Sequence, residues 1–144
     1  MDTNGVIGQI ARIRERSNLL IENELARRGI KGVVPAHGSV LHFLFAQSEP
    51  VPIKAIVSKV GRVKSTVTSI LNTLRRHGYI EKTPCDQDSR VTLVALTEKG
   101  RRLKKDFYEI STILMDTCYG QMSQEDREQL VRQLAQIEQN MKIL

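Results

Sequence analysis

The chain contains no tryptophan and only six aromatic residues, three Tyr and three Phe, so its core cannot be built around stacked rings. The core must come from Leu, Ile and Val, which pack well on amphipathic helices. Two cysteines, Cys85 and Cys118, are too few and too far apart in sequence for a disulfide framework. No apolar run approaches the roughly 18 residues of a membrane span. The N-terminus MDTNGVIGQIARIRER has no apolar signal core, so the expected location is cytoplasmic. A phosphate-binding glycine loop, H-E-x-x-H, CxxC and a nucleophile elbow are all missing. His37 and His42 are spaced poorly for sharing a metal on a helix, and His77 stands apart from both. No catalytic set, metal site or cofactor site can be assembled, which argues against an enzyme.

A further absence is local: Asp and Glu do not occur between Lys64 and Arg76. A solvated helix of that length ordinarily mixes both signs. Within the stretch, Val67, Ile70, Leu71 and Leu74 fall at i, i+3, i+4 and i+7, one buried stripe of a 3.6-residue helix. Lys64, Ser65, Thr68, Ser69, Asn72, Arg75 and Arg76 are left facing outward, with Thr66 beside them. Short hydroxyl and amide side chains suit base edges and phosphates, while Lys and Arg neutralise backbone charge.

The surrounding elements have a matching order. Ahead of this helix, residues 53–60 form a short helix that buries Ile56, Val57 and Val60, and Gly61 follows where a left-handed terminal residue is cheapest. A turn of about three residues joins the pair, the length a helix-turn-helix uses. Gly78 fits the next helix end. Residues 79–83 and 91–96 then carry β-branched and aromatic side chains on either side of a polar tip, which reads as a hairpin. Lys82 lies on its first strand. Arg90 ends the tip, where its long planar side chain suits a narrow minor groove, the bland alternative being an ion pair with Asp86 or Asp88. Thr97 can cap a following helix that begins with Glu98. The expected fold is mainly α with a small β-hairpin wing.

The ordered set KSTVTSILNTLRRHGYI, D-x-D-S-R across the wing and LTEKG resembles the MarR family of winged helix-turn-helix transcriptional regulators. The resemblance is closest over residues 53–103. It implies a single unit over residues 1–144, with a DNA-binding region at 35–100 and helical dimerisation regions at 1–30 and 101–144. It also implies a homodimer on a pseudo-palindromic double-stranded DNA operator, acting as a regulator, most readily a repressor. A small-molecule effector would bind between the dimer helices and the winged region. Two positions depart from the family pattern: Ser69 stands where many members carry a base-reading Arg, and Ser89 replaces the first Arg of the common D-R-R wing sequence. Both bear on operator sequence and affinity.

The flanks read as helices. From about residue 4 to 28, Val6, Ile10, Ile13, Leu20, Ile21 and Leu25 make an interrupted apolar stripe, ended by Gly29. Pro35 opens a helix to about Ala46 that buries Val40, Leu41 and Leu44, with Phe43 or Phe45 alongside. Residues 98–119 and 123–142 form two more around Gly120. Ser123 and Asp126 approximate a capping box, with Leu130, Leu134, Ile137 and Met141 behind it. Ile10, Ile13, Leu130, Leu134 and Ile137 are the candidate dimer contacts, packing within one chain being the alternative. Charge follows the same division. Residues 1–46 hold six Lys/Arg against four Asp/Glu, residues 47–105 thirteen against five, and residues 106–144 three against seven. The cations gather on the motif, as displacement of counterions from phosphate requires. Two other functions stay open at this level: a winged-helix module that binds protein, and a thiol-responsive regulator using Cys85 near Lys82 and Arg90.

Overall fold

Helical periodicity and turn glycines set the element order in the computed structural model, which describes residues 1–143. Helix α1 spans Val6–Arg27, and a 3₁₀ turn at Pro35–His37 leads into α2, Gly38–Phe45. Strand β1 is Val51–Pro52, followed by α3, Ile53–Val60, and α4, Lys64–Arg76. Strands β2, Ile80–Pro84, and β3, Thr92–Leu96, precede α5, Glu98–Tyr119, and α6, Gln124–Asn140. The chain divides into two compact units, Met1–Ile110 and the residues from Ser111 onward.

In the first unit the core lies where α2, α3, α4 and the sheet meet. Leu41, Leu44, Ile56, Val67, Leu71, Leu74 and Val94 are all essentially removed from water. Each fully buried aliphatic side chain contributes about 1.5–3 kcal/mol of transfer free energy. Ile56 is buried as the spacing predicts, whereas Val57 and Val60 are only partly covered. Phe45 enters the core and Phe43 packs at its edge. At the end of α1, the Arg28 guanidinium pairs with Asp106 and Glu109 of α5, which raises its already high pKa.

The sheet is larger than the hairpin read from the sequence. Its order is β1-β3-β2, all antiparallel, with Val51 opposite Val94 and Pro52 opposite Leu93. Two residues show no periodicity, so β1 exists only through this long-range pairing. Pro52 lacks an N–H and sits on an edge strand, where its loss matters least. The first hairpin strand also begins one residue later than expected. Tyr79 instead closes the end of α4: its N–H donates to the Leu74 carbonyl and that of Gly78 to the Arg75 carbonyl, with Gly78 at φ 79°. This is a Schellman closure, in which only glycine takes the left-handed position cheaply. Likewise, the helix read from Pro35 starts with a 3₁₀ turn.

Thr97 caps α5. Its Oγ1 accepts from the Gly100 N–H at 3.1 Å and donates to the Gly78 carbonyl at 2.5 Å, which ties α5 to the end of α4. Gly100 then lies so close to the sheet that a Cβ there would sit 2.0 Å from the Tyr79 carbonyl oxygen. On the other side, the His77 ring covers Gly32, leaving no room for a Cβ at that glycine. His37 is buried beside this contact and its Nδ1 accepts from the Val34 N–H at 3.3 Å.

In the second unit, the Ser123 Oγ accepts from the Asp126 N–H at 3.1 Å, with Glu125 and Asp126 in the positive first turn of α6. The Arg127 guanidinium lies over the Tyr119 ring, 4.9 Å from its centroid. No described residue of α6 is fully buried: Leu130 and Ile137 are half-covered, and Leu134 is exposed.

Two outcomes test these contacts. Gly100→Ala, which within an ordinary helix would stabilise, should here destabilise by about 1–3 kcal/mol through overlap with a backbone carbonyl. Thermal or urea melts give the sign directly. Burial, and secondarily the charge of His77, lowers the pKa of His37 below its usual 6.5. Its neutral form is thus favoured in the fold, so its stabilisation is complete above about pH 6.5 and is lost as pH falls from there towards the depressed folded value. His37→Gln should flatten the dependence of melting temperature on pH in that window; an unchanged slope would assign it to other groups.

Candidate nucleic-acid interface

Helix α4 is anchored by its buried stripe: Val67, Leu71 and Leu74 are fully enclosed, and Ile70 is 8% exposed. Burial of one side of the helix dictates what the other presents. Lys64, Ser65, Thr68, Ser69, Asn72, Thr73 and Arg76 line one open trough along α4, bringing six of the sequence-predicted residues together. Thr66 and Arg75 are not among its lining residues. The trough also holds one residue the sequence reading passed over, Thr73, whose Oγ1 donates to the Ser69 carbonyl and accepts from Arg76 Nη2, both at 3.2 Å. Thr73 thereby orients the Arg76 guanidinium. Its spacing of four from Ser69 and three from Arg76 was the available signal.

The N-terminus of α4 has Val63 at its cap position, no side-chain capping bond and no acid in its first turn. Free N–H groups and the positive end of the helix dipole therefore face outward beside Lys64. A second groove runs from there to the wing, lined by Ile53, Lys54, Val57, Lys64, Arg90 and Val91 among others. It joins Arg90 to Lys64 and adds Lys54, another residue the sequence reading missed. Lys54 sits outside the acid-free helix, so only the fold brings it to this charge cluster.

On the wing, the Arg90 side chain is 89% exposed, yet its guanidinium meets Asp88 in a two-point fork, Nε to Oδ1 at 3.0 Å and Nη2 to Oδ2 at 3.1 Å. The Arg90 backbone N–H also donates to Asp88 Oδ1 at 3.1 Å. The pair lowers the pKa of Asp88 and raises that of Arg90. Exposed pairs of this kind add little to folding. Of the two acids weighed for this pairing, Asp88 is the partner.

Lys82, on β2, reaches back to the trough along α4, where its Nζ donates to Asn72 Oδ1 at 2.7 Å. Partial burial, with the Arg75 charge adding to it, lowers the ammonium's pKa. Cys85 is partly covered at the start of the wing tip, where its N–H donates to the Val91 carbonyl. Among the described residues no helix is long and apolar enough to cross a membrane.

Residues 35–100 match a protein family described as a winged helix DNA-binding domain. The regulator YkoM of Bacillus subtilis, of the helix-turn-helix type, is 25% identical over 100 residues, 69% of this chain and 64% of its own length. The chain thus spans somewhat less than two thirds of that relative. Among solved structures, the Staphylococcus aureus MepR–DNA complex superposes with a TM-score of 0.82 at 22% identity, over 98% of this chain and 100% of that one. A MarR transcriptional regulator from Methanosarcina mazei gives 0.75 at 20% identity, over 98% and 100% of the two chains. Residues 35–100 thus match the winged helix DNA-binding domain model, within a chain that has the fold of these solved regulators.

Proposed function

We propose that this chain is a sequence-specific, double-stranded-DNA-binding transcriptional regulator of the MarR type, a repressor that acts in the cytoplasm as a homodimer. The observation that carries the reading is the acid-free trough along α4, continuous at Lys64 with the groove that ends at Arg90. Helix α4 enters the major groove, where Ser65, Thr68, Ser69 and Asn72 face base edges and Lys64, Thr66, Arg75 and Arg76 hold phosphates. The wing carries Arg90 into the adjacent minor groove. Release by a small effector is carried over from the family resemblance.

Apolar exposure supports the homodimer. Val6, Ile7, Ile10 and Ile13 of α1, and Val131 and Leu134 of α6, are each at least 36% exposed in the single chain. A second copy is the natural cover for such stripes. Light scattering at micromolar concentration should give about twice the 16.3 kDa chain mass. Leu134→Glu combined with Ile137→Lys should dissociate or unfold the protein. A wild-type monomer, or a double variant that remains dimeric, would remove these residues from the interface.

For DNA, a two-fold dimer sets two recognition helices roughly 34–36 Å apart, so the operator should be a pseudo-palindrome. Binding should weaken steeply with salt, with a log–log slope steeper than about −3, since each neutralised phosphate contributes roughly −0.9. Arg76→Ala should lower affinity for all sequences alike and reduce the slope by about one. Arg90→Ala should cost about 1–3 kcal/mol on the operator while the melting temperature stays near the parent's, because its ion pair is exposed. A slope near zero would argue for a protein-binding winged helix instead, and full operator affinity without Arg90 would refute the minor-groove role.

A further inference from the structure

We infer that Lys54 of α3 holds the sugar–phosphate strand of the DNA where it passes between α4 and the wing. The role rests on the reading of α4 as the recognition helix and of Arg90 as its minor-groove companion. It adds a phosphate ligand that neither of those elements carries.

In a duplex the sugar–phosphate strand is the wall between one groove and the next. With α4 in the major groove and Arg90 in the adjacent minor groove, that wall has to cross the surface between Lys64 and Arg90. The surface there is a groove, and Lys54 lines it together with those two cations. The rest of its lining is largely apolar, with Ile53, Val57 and Val91 partly covered, and it includes no acid. A strand that alternates deoxyribose with phosphate matches apolar walls under a cationic rim. Lys54 is exposed and has no ion pair among the described residues, so its ammonium is open to an incoming phosphate.

The sheet fixes this cation relative to the wing. Pro52 of β1 pairs with Leu93 of β3, so Lys54, two residues after Pro52, and Arg90, three before Leu93, leave the same rung of the sheet. Helical spacing then sets Lys54 and Val57 on one face of α3, while Ile56 turns into the core. Lys54 is thereby referred to the wing's own sheet, whereas Lys64 belongs to α4. A phosphate strand held by both fixes the register of the wing against the recognition helix, and Lys54 does this without reading a base.

Methylphosphonates, each removing the charge of one phosphate, test this when placed singly along an operator that the full chain has selected from a randomised pool. The parent should lose affinity at a phosphate between the bases read by α4 and the minor groove whose preference disappears in Arg90→Ala. Lys54→Gln should bind roughly fivefold more weakly per half-site near 0.15 M salt, the counterion-release term for one phosphate, and lower the log–log slope by about one per half-site. It should also become indifferent to that one methylphosphonate while keeping the parent's base pattern and melting temperature. Lys54→Arg, which still carries a cation, should keep the parent's sensitivity. A Lys54→Gln protein with the parent's affinity and slope, one as sensitive as the parent to every methylphosphonate, or one that loses its melting temperature with its affinity would overturn the role. So would a lost sensitivity that lies outside that segment of strand. In each of those cases α4 and Arg90 keep their assignments. A parent whose DNA binding is independent of salt would overturn the DNA-binding reading and this role with it.

Discussion

Tyr79 is the residue on which the geometry of the interface depends. Its N–H closes the end of α4 on Leu74, and its carbonyl accepts from Thr97 at the start of α5 and lies against Gly100. Its hydroxyl donates to the Lys31 carbonyl at 2.5 Å, and Lys99 Nζ lies 4.6 Å from its ring centroid. Three segments, the loop at Lys31, the end of α4 and the start of α5, are thus referred to one buried residue. Each of these hydrogen bonds contributes only about 1 kcal/mol net, but an unmade one would leave a buried polar group at greater cost. The angle at which α4 leaves the core and the point where β2 begins are therefore fixed together. Contacts between the recognition face and the wing, such as Lys82 with Asn72, inherit that precision.

What could be read from the sequence was what local chemistry determines. The stripe Val67, Ile70, Leu71 and Leu74 defines α4 because helical periodicity needs no distant partner, and all four are buried. Thr97 and Ser123 were legible as caps because a capping hydroxyl acts within three residues. Strand β1 was not, since Val51 and Pro52 become a strand only by pairing with Val94 and Leu93. Tyr79 was assigned to the hairpin because its β propensity is local, whereas its place in the Schellman closure depends on Gly78. The face of the candidate site was legible and its internal wiring was not. Thr73 under Arg76 and Lys54 beside Arg90 emerge from packing, as does the Lys82–Asn72 bond across the turn between α4 and β2.

The ion pairs also separate folding from binding. Arg28, at the end of α1, is largely covered and meets two carboxylates of α5, whereas no acid lines the trough that holds Lys64 and Arg76. Lys64 and Arg76 add almost nothing to the core. At opposite ends of α4, they lie roughly 18 Å apart, beyond a Debye length of about 8–10 Å, so leaving both open to an anionic partner costs the fold little. Surface charge of this pattern suits a polyanionic partner and contributes little to stability.

Specificity supplies the energetic argument for two copies. Discrimination of an operator from other DNA takes about 4–10 kcal/mol, and a good bidentate base contact supplies about 1–3. The middle of the α4 face carries Thr68, Ser69 and Asn72, of which only Asn72 can meet a base edge at two points, and Ser69 replaces the longer Arg common in the resembled family. One such face, with one wing Arg, falls at the low end of that range. Two-fold repetition doubles the discrimination without any new contact type, and it makes the spacing between half-sites a further criterion. On the proposed reading, a helix this sparing in long base-reading side chains gains the most from a second copy, for which the uncovered apolar stripe of α1 offers a contact.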